Sequence, residues 1–133
     1  MKLLIVDDSS AVYRRLISLL GGVERLTALS IARSLAEAQT RCRDVRPDAI
    51  VLDIDLADGS GLGAIKSIRA ECPRATIFVF SNHIEFRALA LARGADGFYD
   101  KSMEFENLVA HLLSALPGAG PMYAIPPKKE MWL

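Results

Sequence analysis

Four apolar residues without a polar interruption, Ala49-Ile50-Val51-Leu52, stand between Pro47-Asp48 and the acidic, glycine-rich run Asp53 to Gly61, DIDLADGSG. A run that short and that apolar reads as a strand buried on both faces, the condition of strands in a parallel sheet. Parallel strands need crossovers of helix length, so this stretch commits the chain to alternating strands and helices. The strand ends abruptly at Asp53. A carboxylate at that point lies on the carboxyl edge of the sheet, where open α/β proteins place ligands and chemistry.

The rest of the chain supplies the alternation. Leu3 to Val6 is a second apolar run, closed by Asp7-Asp8. Ser9-Ser10 then offer N-caps for a helix with Val12, Leu16, Leu19 and Leu20 on one side, which Gly21-Gly22 stops. Leu26 to Ile31 reads as a weaker strand. Ser34 to Glu37 has capping-box spacing and opens a helix with Leu35, Ala38, Cys42 and Val45 facing inward. After the glycine-rich run, Leu62, Ile65 and Ile68 mark a helix that ends near Cys72-Pro73, and Thr76 to Phe80 is a third apolar strand ending on Ser81. Asn82 and Glu85 have capping spacing before a helix bearing Phe86, Leu89 and Ala90, which Gly94 terminates. Gly97 to Tyr99 is a short strand followed by Lys101. Ser102 is placed to cap a last helix, with Glu104 and Glu106 in its first turn and Leu108, Val109, Leu112, Leu113 and Leu116 on its buried side. The expectation is five parallel strands and five helices in one domain, residues 1–116, followed by a Gly- and Pro-rich tail, 117–133, that forms no separate domain.

At 133 residues the chain can bury roughly two thirds of its unfolded surface without disulfides or a structural metal. Sixteen basic residues balance sixteen acidic ones, so net charge gives no reason to expect direct binding of nucleic acid or of an anionic membrane. No window approaches a membrane span, and the N-terminal apolar run is too short for a signal peptide, so a cytoplasmic location is expected. Cys42 and Cys72 have no partner at metal-binding spacing and read as reduced, buried small hydrophobes.

In a parallel α/β sheet the strand ends share one edge, and Asp7, Asp8, Asp53, Ser81 and Lys101 each follow a strand. Three carboxylates within a few ångströms repel by roughly 4 kcal/mol per pair at an effective dielectric near 20, so such a site needs a cation. An all-oxygen set with open positions suits Mg²⁺, commonly shared with phosphate. An ammonium and a hydroxyl are what a phosphoryl group needs beside the metal, which leaves Asp53 as the candidate nucleophile. Singly, each residue has an ordinary explanation: a turn or cap for the aspartates, a turn for Ser81 and a solvated charge for Lys101. Their common position after successive strands is what argues for a site.

The pieces LLIVDD, DAIVLDIDLADGSGL, FVFS and GADGFYDK together closely resemble the receiver domain of two-component response regulators, across residues 1 to about 116. The resemblance implies a doubly wound five-stranded sheet of order 2-1-3-4-5, with Asp7, Asp8 and Asp53 at its topological switch point. It implies Asp53 as phosphoacceptor, Asp8 as a direct Mg²⁺ ligand, Asp7 as an acidic residue acting mainly through water, and the Asp55 backbone carbonyl as a further ligand. Ser81 falls at the switch hydroxyl, Phe98 at the switch aromatic and Lys101 at the phosphate-binding lysine. The implied partners are a histidine kinase or phosphotransfer protein and a downstream protein met through the fourth helix, fifth strand and fifth helix; a homodimer is left open.

Two positions depart from the family pattern. The proline commonly four residues after the acceptor is Ala57, and the proline after the lysine, usually in a cis bond, is Ser102. A non-proline cis peptide costs about 3 kcal/mol, which leaves the Lys101–Ser102 bond free to be trans. Asp55 and His83, each two residues beyond a site residue, are placed to tune the lifetime of a phosphorylated state, whereas His111 reads as a partly exposed helix residue. The expected function is a single-domain response regulator, a phosphoacceptor and not a turnover enzyme. The enzyme alternative is a haloacid-dehalogenase-like phosphohydrolase, whose first motif Asp53-Ile54-Asp55 fits, although such enzymes usually need a longer chain and another acidic motif. A third reading is a receiver-like interaction module that is never phosphorylated.

Overall fold

The structure, a computed structural model, describes residues 1–114. The expected end of the domain at residue 116, Leu116 itself and the tail lie outside the described residues. Among the described residues seven strands and five α-helices follow in the order β1 (Lys2–Val6), α1 (Ser10–Leu20), β2 (Ala28–Ala32), α2 (Leu35–Val45), β3 (Ala49–Leu52), β4 (Asp55–Leu56), β5 (Gly59–Ser60), α3 (Gly61–Glu71), β6 (Thr76–Ser81), α4 (Arg87–Ala92), β7 (Gly97–Asp100) and α5 (Phe105–Ser114). Five strands form one parallel sheet of order β2-β1-β3-β6-β7, while β4 and β5 pair as a small antiparallel hairpin. Leaving the hairpin aside, that is the expected 2-1-3-4-5 order.

The unbroken apolar runs are explained by burial on both faces. Along β1, β3 and β6, one set of alternate residues (Leu4, Val6, Ile50, Leu52, Ile77, Val79) packs with Ala38, Cys42, Ile65, Ile68 and Ala90 of α2, α3 and α4. The other set (Leu3, Ile5, Ala49, Val51, Phe78, Phe80) packs with Leu16, Leu20, Leu108 and Leu112 of α1 and α5. Such a sheet has no solvated face, so its chemistry is confined to its edges. Cys42 and Cys72 are free and buried, and burial pushes the Cys42 thiol up to about 12, as suits packing groups.

Several local expectations are corrected. Strand β2 is shifted to Ala28–Ala32, because Thr27 N–H is taken by the Met1 carbonyl at 2.8 Å and Ala32 pairs with Val6 and is fully buried. Leu19 in α1 and Leu89 in α4 are 43% and 41% exposed, so neither belongs to the inner face. Ser34 caps α2 as expected, accepting Glu37 N–H, but Glu37 returns its bond to Arg33 N–H instead of Ser34. Asn82 does not cap the fourth helix. That segment begins as a 3₁₀ turn, Ile84–Phe86, continues as the short α4, and neither piece has a side-chain cap. Ser102 does not cap α5 either: its N–H and hydroxyl both donate to Asp100 Oδ1, at 2.9 and 2.7 Å, in the turn before the helix. Glu104 takes over that junction, its carbonyl accepting Leu108 N–H at 2.9 Å and its carboxylate accepting Asp100 N–H at 2.9 Å.

Candidate functional site at the sheet edge

Parallel register brings the ends of β1, β3, β6 and β7 together. Asp7 and Asp53 extend the ladder, with Asp7 N–H donating to the Ala32 carbonyl and Asp53 N–H to the Val6 carbonyl, each at 2.9 Å. Ser81 pairs with Asp100, and Lys101 N–H donates to the Ser81 carbonyl at 3.0 Å, which carries the lysine to the same edge. Asp7 is 2% exposed, Asp53 5% and Ser81 fully buried, whereas Asp8 is open to solvent. These are the only buried polar or charged residues among the described residues, and they cluster at one place.

Carboxylate oxygens of Asp7, Asp8 and Asp53 lie within 4.8 Å of one another. Lys101 Nζ bonds to Asp7 Oδ2 at 2.8 Å and to Asp53 Oδ2 at 3.2 Å. The remaining oxygens face backbone donors: Asp7 Oδ1 accepts Ser9 N–H at 2.8 Å, and Asp53 Oδ1 accepts Asp55 N–H at 3.3 Å. Burial raises the Asp53 carboxyl above its ordinary value, the nearby Lys101 ammonium opposes that, and the Asp7 charge adds to it. With three carboxylates and one ammonium the formal local charge is −3 + 1 = −2. That deficit and the hard-oxygen donor set fit a divalent cation such as Mg²⁺.

The other expected residues surround this cluster in different ways. Ser81 Oγ accepts His83 N–H at 3.0 Å. His83 Nε2 lies 3.3 Å from Asp55 Oδ2 and its Nδ1 lies 3.6 Å from Glu85 Oε2, so the two tuning candidates touch each other on the solvent side of the site. Asp55 projects its side chain outward, while its N–H faces Asp53. Phe98 is buried in the layer shared with α3 and α4, with the Arg87 guanidinium 5.2 Å from its ring centroid. Arg87 also donates to the Phe98 carbonyl and to Glu104, each at 3.2 Å. His111 is exposed and hydrogen-bonds Tyr99, whose phenol burial pushes up to about 12. The Lys101–Ser102 bond is trans.

Two residues that sequence reasoning passed over shape the acceptor loop. Gly61 N–H donates to the Ile54 carbonyl at 2.7 Å, and a Cβ at Gly61 would lie 2.2 Å from the Asp53 carbonyl oxygen. Only glycine fits so close an approach. Asp58, at the tip of the β4–β5 hairpin, sends its carboxylate to the start of α2. The signal for the first was the DGSG spacing after a buried strand; nothing local announced the second.

Fold and edge together define a doubly wound α/β protein with an acidic, lysine-bridged cluster at the topological switch point between β1 and β3. Residues 3–113 match the family model of the response regulator receiver domain, and the chain belongs to that family. It is 32% identical over 106 residues to the DNA-binding transcriptional activator DevR/DosR of Mycobacterium tuberculosis, a match covering 78% of this chain and 49% of the relative. The chain thus corresponds to about half the length of that relative. A two-component response regulator of the LuxR family from Aurantimonas sp. SI85-9A1 superposes with a TM-score of 0.77 at 26% identity, over 99% of this chain and 98% of that one. A response regulator from Burkholderia pseudomallei, solved with a phosphorylated aspartic acid, calcium ion and citrate, superposes with a TM-score of 0.68 at 27% identity, over 88% and 66%.

Proposed function

We propose that this chain is a response regulator receiver that takes a phosphoryl group onto Asp53 from a phosphohistidine on a histidine kinase or phosphotransfer protein, and signals by changing which protein it binds. The observation that carries the reading is Asp53 itself: a buried carboxylate with one oxygen on Lys101, inside a cluster two charges short of neutral. The phosphorylated aspartate and calcium ion of the Burkholderia pseudomallei relative support it. In the transfer, an Asp53 oxygen attacks phosphorus, the P–N bond breaks, and the imidazole leaves with its electron pair and is neutralised by a proton. Mg²⁺ bound by Asp7, Asp8, Asp53 and the Asp55 carbonyl would neutralise phosphoryl oxygens and the excess carboxylate charge. Lys101 remains as the nearest side-chain cation to a phosphoryl group on Asp53, and Ser81 offers the hydroxyl donor at the neighbouring strand end.

For the output we propose the face of α4, β7 and α5. Leu89, Leu91 and Met103 there are 41%, 44% and 80% exposed, which is apolar surface suited to a protein partner. A move of the Ser81 hydroxyl toward the phosphoryl group, with repacking of Phe98, would bias the two arrangements of that face. The test mixes the protein and Mg²⁺ with a phosphohistidine-bearing phosphotransfer protein and follows labelled phosphate. Transfer to the wild type and none to Asp53→Ala is expected; equal labelling of both refutes the acceptor assignment.

A further inference from the structure

The β4–β5 hairpin follows the acceptor directly. Its root is fixed by two hydrogen bonds from backbone N–H groups, Asp55 N–H to the Asp53 carboxylate Oδ1 at 3.3 Å and Gly61 N–H to the Ile54 carbonyl at 2.7 Å. Its tip, Ala57-Asp58, joins Leu56 to Gly59, which are paired across the hairpin. From that tip the Asp58 carboxylate reaches another element altogether: Oδ1 accepts Leu35 N–H at 2.9 Å and Oδ2 accepts Ala36 N–H at 3.1 Å. Both donors belong to the first turn of α2, which has no intrahelical acceptors for them, and the positive end of the helix favours an anion there. Those two bonds also hold the Asp58 carboxyl below the ordinary carboxylate range. Next to it, Gly59 brings the hairpin against the Leu35 side chain, since a Cβ at Gly59 would lie 3.1 Å from Leu35 Cδ1.

We propose that Asp58 is a positioning residue for the metal and acceptor site: by tying the hairpin tip to the start of α2, it fixes the backbone from Asp53 to Asp55. This rests on reading the carboxylate cluster as a Mg²⁺ and phosphoryl site. The tether matters because the two-residue tip between Leu56 and Gly59 is not stiffened by its own sequence. Ala57 occupies the second position of the Leu56–Gly59 reversal, where a proline would stiffen the turn by fixing φ, and alanine does not. Helix α2 is a suitable anchor because Ala38 and Cys42 are fully buried against the sheet.

The test compares wild type, Asp58→Ala, Asp58→Asn, and Asp58→Ala combined with Ala57→Pro. Three readouts are taken: amide hydrogen exchange without Mg²⁺, calorimetric Mg²⁺ binding, and phosphate uptake from acetyl phosphate. Asp58→Ala should speed exchange at Asp55 as well as at Leu35 and Ala36, and weaken Mg²⁺ binding about tenfold, the usual scale for a residue that orients a metal site from behind. Asp58→Asn keeps one acceptor oxygen and should fall between, and it carries the test if the alanine variant does not fold. Adding Ala57→Pro should recover most of the Mg²⁺ affinity without restoring protection at Leu35 and Ala36. Loss of protection confined to Leu35 and Ala36, with Mg²⁺ affinity within twofold of wild type, overturns the proposal and leaves Asp58 a helix cap. A wild type that binds Mg²⁺ but accepts no phosphate refutes the proposed function while leaving the Mg²⁺ comparison valid. If Mg²⁺ does not bind at all, exchange at Asp55 decides whether the tether orders the loop.

Discussion

Among the described residues, Lys101 is the side-chain cation that bonds to both Asp7 and Asp53, and its removal has a calculable consequence. Lys101→Met keeps the aliphatic stem and deletes the charge. At 2.8 and 3.2 Å the two ion pairs are worth about 6 and 5 kcal/mol in gross Coulomb energy at an effective dielectric near 20. Most of that offsets the desolvation of three side chains that are only 11%, 3% and 6% exposed. What remains is the cost of stranding buried charges, typically 3–5 kcal/mol, and about 3 kcal/mol is expected because Asp8 stays hydrated. For a domain of this size that is roughly a 10 °C fall in Tm at pH 7 without divalent cations, read by thermal unfolding monitored by circular dichroism. The deficit should shrink as pH falls, because burial raises the Asp53 carboxyl and its protonation removes part of the stranded charge. Saturating Mg²⁺ should also shrink it, since the variant has one more negative charge to neutralise and stabilisation follows mass action. A Tm within 2 °C of wild type at pH 7, or a deficit unchanged near pH 4, refutes the reasoning.

Asp53→Asn should move stability the other way. The folded-state pKa of Asp53 is raised by burial, so its contribution is fully present below the ordinary carboxylate pKa and is lost as pH rises through the folded value. At pH 7 the ionised group is a net cost, and the variant should gain roughly 0.5–2 kcal/mol in denaturant melts, a gain that vanishes in acid; destabilisation at pH 7 would contradict this. Gly61→Ala must displace the Asp53 carbonyl and should cost about 1–3 kcal/mol while weakening Mg²⁺ binding, whereas an unchanged calorimetric isotherm would show that the close approach is not needed. Because His83 and Asp55 meet above the site, His83→Ala and Asp55→Ala should alter the loss rate of phosphate more than its uptake. Unchanged decay of labelled protein in both variants would remove them from that role.

What could be read from the sequence was whatever depends on two-sided burial. Ala49 to Leu52 and Ile77 to Phe80 are apolar throughout because helices cover both faces, and the residues that close such runs must fall on one edge, which is why Asp7, Asp8, Asp53, Ser81 and Lys101 could be brought together. Local hydrogen-bond competition was less legible. Asn82 and Ser102 have the chemistry of helix caps, but Ser81 takes the His83 N–H and Asp100 takes the Ser102 N–H, and neither outcome follows from spacing alone. Asp58 was invisible for a different reason: the N–H donors its carboxylate accepts from lie 22 and 23 residues away on another element. The depth of Phe98 beneath Arg87 likewise depends on how α4 sits against β7.

The central claim is that Asp53 is the phosphoacceptor. Its most direct measurement is peptide mass spectrometry of the protein after incubation with Mg²⁺ and acetyl phosphate, with and without mild base before digestion. One acid-stable, base-labile phosphate is expected on the peptide containing Asp53, and none in Asp53→Asn. Phosphate on any other peptide, or an equal yield in Asp53→Asn, would contradict it.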